Sequence, residues 1–192
     1  MANRSFLYTT DNYQQNTVDY LGLSEYQNEV HPLYLLMVAG ESQIIFSNLV
    51  DETEKTAIAG NFDDGKDLAL KFLELVLTYE ENYQTDLFKE FVTETKIFLN
   101  QRDEKYIILE TFEIVDLNGN NFIPEIFRGL DEIKREIEKL YEKHLSGNLT
   151  SDEFRGSAFY NDFDDTAIEW GEIDHEDIEW TDFWSENLYF ES

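Results

Sequence analysis

Asp116-Leu117-Asn118-Gly119-Asn120 puts oxygen-bearing side chains at positions one, three and five of a short loop, the spacing with which an EF-hand begins to wrap calcium. Asp116, Asn118 and Asn120 are thus the candidate metal ligands, and Ile123 supplies the apolar residue expected at position eight. The match then fails. Asn121 stands where the sharp turn wants glycine, and Phe127 where a bidentate glutamate should close the shell. The competing reading is a tight polar turn, since Asn and Gly tolerate the left-handed conformation.

Two more clusters could do chemistry. Asp162-Phe163-Asp164-Asp165 and Asp174-His175-Glu176-Asp177 gather carboxylates around one imidazole, groups that can hold a divalent cation or move a proton. No HExxH pair and no aspartate pattern of a two-metal site accompanies them, and a solvated acidic run has the same composition. GxSxG, GxxxxGK and GxGxxG are also missing from the chain. The residues therefore point to a protein that is not an enzyme and uses no cofactor, with a divalent-cation-binding protein or hydrolase as the alternative.

Charge is the dominant compositional fact. Forty-two acidic residues stand against fourteen basic ones, a net charge of -28. Such a field repels nucleic acid and anionic lipid and attracts cations and basic proteins, over a Debye length of about 8 Å at physiological salt. Cysteine is absent, which excludes disulfide scaffolds and thiolate metal sites. The N-terminal residues lack an apolar signal-peptide core and no run approaches a membrane span, so a cytoplasmic address is expected.

Apolar residues make up 42% of the chain, enough to build a core. Ser5 and Leu7 alternate with Phe6 and Tyr8, as in a strand buried on at least one face. Residues 10–17 form a polar loop. Pro32 at a first helical position and Gly40 at the end frame a short buried helix, with a strand as the alternative for so apolar a run. Gln43 to Val50 and Thr56 to Phe62 have strand composition and suggest a hairpin. Helices are expected from Asp63-Asp64 through Tyr79 and over Thr85 to Asn100, packed as an antiparallel pair. Tyr106 to Val115 predicts a long central strand, and Pro124 to His144 the clearest amphipathic helix. The fold class is α+β: an antiparallel or mixed sheet against three to four helices.

Composition shifts after residue 150. Residues 151–192 hold fourteen acids and one base, Arg155, together with all three tryptophans. The chain thus divides into an α+β domain over 1–150 and an acidic, aromatic-rich segment over 151–192. Its apolar side chains must dock, on the domain itself or on a partner. Residues 186–192 resemble a tobacco-etch-virus protease site with Glu191 in place of glutamine, a tag remnant; the alternative is an edge strand with Leu188 and Phe190 on one side.

Met1-Ala2-Asn3-Arg4-Ser5-Phe6-Leu7-Tyr8, Leu21-Gly22-Leu23-Ser24-Glu25-Tyr26 and Phe98-Leu99-Asn100-Gln101 resemble a family of small, acidic bacterial cytoplasmic proteins, over residues 1–145. The resemblance implies an α+β domain in settings like toxin–immunity systems, and it supplies no catalytic residues. Taken with the charge, the expected function is binding: an immunity-type inhibitor that neutralises a basic protein, such as a toxin. Trp170, Trp180 and Trp184 would anchor it, and Asp164, Asp165, Glu172, Asp177 and Glu179 would steer it. An oligomeric structural module is a third reading, in which one subunit's tail completes another's sheet.

Overall fold

A computed structural model describes residues 3–14, 19–47, 49, 55–114, 122–169, 183–186 and 188. Five strands form one antiparallel sheet in the order β2-β1-β5-β4-β3, where β1 is Arg4–Thr10, β2 Leu21–Gln27, β3 Gln43–Ile45, β4 Ala57–Asn61 and β5 Tyr106–Glu110. With its helices the molecule is α+β, as the composition of its segments implied. The expected central strand is central: β5 lies between β1 and β4.

Alternation in β1 divides the interior in two. Leu7 joins Leu23, Ile58, Ile107 and Leu109 on the face covered by helices. Phe6 and Tyr8 point the other way, into a smaller cluster with Tyr13, Ala57, Ala59, Ile108 and Leu188. Side chains that alternate across a pleated strand can fill both faces only if both are sheltered from water.

Helix α1 (Pro32–Met37) has His31 as its N-cap, whose Nδ1 accepts from the Leu33 N–H at 3.2 Å. Burial among Tyr26, Tyr34, Phe163 and Phe183 holds the His31 imidazole down to about 3, so it caps as a neutral ring. Helix α2 (Phe62–Tyr79) starts one residue before the expected Asp63-Asp64 pair. The cap is Asn61, whose Oδ1 accepts from the Asp64 N–H at 3.1 Å, while the two aspartates sit in the first turn and favour the positive end of the dipole. Helix α3 (Asp86–Asn100) is capped by Thr85 and packs on α2, and α4 (Phe122–Leu145) buries Ile123, Leu130, Ile137 and Leu140 against α1 and α2.

Two sequence expectations change, and one strand, β2, falls on residues to which the sequence assigned no element. β3 is three residues long, and residues 48 and 50 of the strand expected over Gln43 to Val50 lie outside the described set. The predicted strand to Val115 stops at Glu110 because that side chain turns back: its Oε1 accepts from the Thr111 and Phe112 N–H groups at 3.0 and 3.3 Å, starting a helical turn over 112–114. The Thr56 hydroxyl donates to the same oxygen at 3.0 Å, while buried Oε2 has no hydrogen-bond partner among the described residues.

Burial pushes the Glu110 carboxyl above its ordinary 4.5, against hydrogen bonds from Ser47, Thr56 and the two amides that pull it down. The folded state is thus penalised for ionising it. Stability from this residue is complete below pH 4.5 and is lost as pH rises through the elevated folded value. Glu110→Gln keeps the accepting oxygen and carries no charge, so its urea midpoint should climb relative to wild type as pH rises above 4.5. A difference that stays flat with pH would contradict this account.

Gly65, in α2, meets the α1 backbone where a Cβ would collide with the Met37 carbonyl oxygen. Neither helix can shift without disturbing the core, so Gly65→Ala should cost about 3 kcal/mol in denaturant unfolding. A cost under about 1 kcal/mol would mean that the two helices slide freely.

Candidate functional site

The acidic, aromatic-rich segment meets the rest of the molecule in two places. Thr150 caps a short helix, α5 (Ser151–Arg155), by accepting from the Glu153 N–H at 3.2 Å, and α6 (Ala158–Glu169) follows. Apolar residues of both turn inward. Phe154, Phe159 and Phe163 surround Phe72 of α2, with ring centroids 6.3, 4.9 and 5.1 Å away, and all four rings belong to the main core.

Polar groups seal the same seam. Buried Glu80, at the end of α2, accepts through Oε2 from Arg155 Nε at 2.9 Å and from the Tyr160 hydroxyl at 2.8 Å. The Tyr83 hydroxyl donates to Asp164 Oδ1 at 2.8 Å. Burial, then the neighbouring carboxylates, raise both phenols, so Tyr83 and Tyr160 serve as fixed donors. The carboxylates here are bound as acceptors, an arrangement for holding helices together. Asp152, Glu153, Asp162 and Asp165 face solvent around it, as does Glu81 in the 3₁₀ turn Glu81–Tyr83.

A second contact involves residues 183–186 and 188. Phe183 packs edge-on against His31 and Phe91, with centroids 4.8 and 5.6 Å apart. The Trp184 indole lies on Phe98 at 5.8 Å and donates from Nε1 to Thr95 Oγ1 at 2.6 Å. Ser185 N–H donates to the Leu23 carbonyl at 2.8 Å, Ser24 Oγ donates to the Phe183 carbonyl, and Arg102 pairs with Glu186. Leu188 is buried in the second cluster.

The residues singled out in the sequence therefore have unequal positions. Asp164 and Trp184 are engaged within the molecule and Asp165 is exposed. Trp170, Glu172, Asp177, Glu179, Trp180 and the loop residues Asp116, Asn118 and Asn120 lie outside the described residues. Among the described residues, no group of three His, Asp or Glu side chains could hold a metal ion. None of the described helices is long and apolar enough to cross a membrane. A depression of about 280 Å³ between the loop after α1 and α4 is lined in part by Glu41, Ser42, Asp131 and Lys134. Its groups are engaged elsewhere: the Ser42 hydroxyl donates to the Val38 carbonyl at 2.5 Å, and Lys134 faces Asp64 at 3.8 Å.

Sequence reasoning passed over Tyr83, Tyr160 and Glu80, whose burial depends on the fold, and Arg102, which carries no motif. Since Phe163 touches rings from α2, α1's cap and the 3₁₀ turn, Phe163→Ala should cost about 3–5 kcal/mol in a single unfolding transition. A separate early transition for α6 would show instead that residues 151–169 fold as an independent unit.

Comparison with curated proteins and with solved structures found no match. A family model described as a domain of unknown function (DUF7822) matches residues 8–148, which run from β1 to just past α4 and leave α5, α6 and residues 183–188 beyond it. The chain belongs to the DUF7822 family.

Proposed function

We propose that this protein is a non-enzymatic binding protein of the bacterial cytoplasm that captures a basic protein, in the manner of an immunity-type inhibitor neutralising a toxin. The observation that carries the reading is how little of the acid is consumed by the fold. Arg4, Lys66, Lys71, Lys89, Arg102, Lys134, Lys143 and Arg155 each already face a carboxylate, so eight of the fourteen cations are locally neutralised. The net charge of -28 is left to act outward.

Surface pairs of this kind add little stability, about 0–1 kcal/mol each, whereas uncompensated charge of one sign raises the encounter rate with an opposite partner. Glu81, Asp152, Asp162 and Asp165 supply exposed carboxylates around the α2–α6 seam. A capture surface there would select by field first and by shape second.

Affinity capture from the native host should retain a basic protein at about 50 mM salt and release it at about 500 mM. Replacing Glu81, Asp152, Asp162 and Asp165 with their amides should slow association with that protein roughly tenfold while leaving the melting curve in place. Retention that ignores salt, or a partner that is not basic, would sink the proposal.

A further inference from the structure

The second contact made by the C-terminal residues has the construction of a receptor and its ligand. β2 is an edge strand, and its register with β1 skips Leu23: Leu7 lies opposite Ser24 while Tyr8 lies opposite Gly22. A bulge of this kind takes one residue out of the ladder and re-aims its backbone groups. The Leu23 carbonyl accepts from Ser185 N–H instead.

Gly22 gives the groove its floor. A Cβ there would stand 2.5 Å from the Glu186 carbonyl oxygen and 2.8 Å from Leu188 Cγ, so only glycine admits the incoming chain. α3 makes the other wall, with Thr95 receiving the indole N–H and Phe98 stacking beneath the ring.

Arg102 supplies an independent sign that a ligand is meant to sit here. Its side chain is only 10% exposed, its guanidinium lies over Phe98 at 4.7 Å, and its buried Nε has no hydrogen-bond partner among the described residues. In a chain with three acids for every base, this cation is withdrawn from the surface and answered by Glu186, itself 65% exposed. Burying a guanidinium is costly unless a carboxylate arrives, so the position selects for an acidic ligand.

We propose that the bulged edge of β2 and the adjoining face of α3 form a docking groove for an extended acidic-aromatic peptide of another protein, and that residues 183–186 and 188 occupy it as a detachable intramolecular ligand. The fitting segment carries an indole, a carboxylate two residues later and an aliphatic side chain two residues beyond that. The groove residues Gly22, Leu23, Thr95, Phe98 and Arg102 all fall within the family-matched stretch, whereas the occupying segment does not. Recognition combines a backbone bond to a strand edge with side-chain pockets, as in β-strand addition. A tethered occupant competes at an effective concentration on the order of millimolar, so an outside peptide binds the closed protein weakly.

The probe is a fluorescent peptide Phe-Trp-Ser-Glu-Asn-Leu, titrated into the full chain. Trp184→Ala and Glu186→Lys each weaken the tethered occupant, and each should bind the peptide on the order of tenfold more tightly than wild type. Adding Gly22→Val should abolish that gain. Arg102→Glu should reject the peptide and accept one with Lys in place of Glu, a recovery that misfolding cannot mimic. If both opened variants keep the wild-type circular dichroism and bind no better than wild type, or if the charge-reversed pair does not recover, the proposal is overturned. If sedimentation shows the chains pairing by exchanged C-terminal segments, the occupant is a second copy and the proposal is equally overturned.

Discussion

A sheet that is apolar on both faces cannot leave either in water, and most of this architecture answers that constraint. Leu7, Ile107 and Leu109 turn to one side of β1 and β5, while Phe6, Tyr8 and Ile108 turn to the other. Helices α1, α2 and α4 cover the first face, drawn close by the missing side chain at Gly65. The second face is sheltered by Tyr13, Tyr20, Leu188 and Phe112, the last from the helical turn that follows β5. Leu188 thus packs against the first strand of the chain. Burial of this kind, at about 25 cal/mol per Å², must also offset the self-repulsion of a chain carrying -28.

How much of this could be read from the sequence depended on whether a signal was local. Period-3.6 patterning in α4 and the helix starts at Thr85 and Pro32 are written within one element, and these elements stand where the spacing placed them. β2 escaped because Leu21-Gly22-Leu23-Ser24-Glu25-Tyr26 does not alternate cleanly, and the reason is now visible: Leu23 is a bulge and Gly22 faces an approaching backbone. The end of β5 depended on one side chain folding back on its own amides, which composition does not encode. The α+β class was legible from the succession of strand-like and helix-like segments, while the order of the strands was not.

Legibility was poorer at the candidate site, for a physical reason. Acidic and aromatic residues attract notice as possible contacts with a partner, but the same residues suit an internal seam once a donor lies opposite. Asp164 receives a tyrosine hydroxyl and the Trp184 indole reaches a threonine on α3, so both are used within the chain. Asp165, one residue from Asp164, stays in solvent. Helical geometry alone separates the two, since adjacent residues point about 100° apart and only one can face the core.

Electrostatics then ties the two surfaces together. An acidic C-terminal segment returning to an acidic domain meets general repulsion, and it can settle only where a local cation and apolar contacts outweigh that field. Arg102, 10% exposed and lying over Phe98, provides the cation, but Glu186 is 65% exposed, so the packing of Phe183, Trp184 and Leu188 carries the larger share. Salt screens repulsion among the exposed carboxylates over a Debye length of about 8 Å and leaves the apolar contacts of the segment in place.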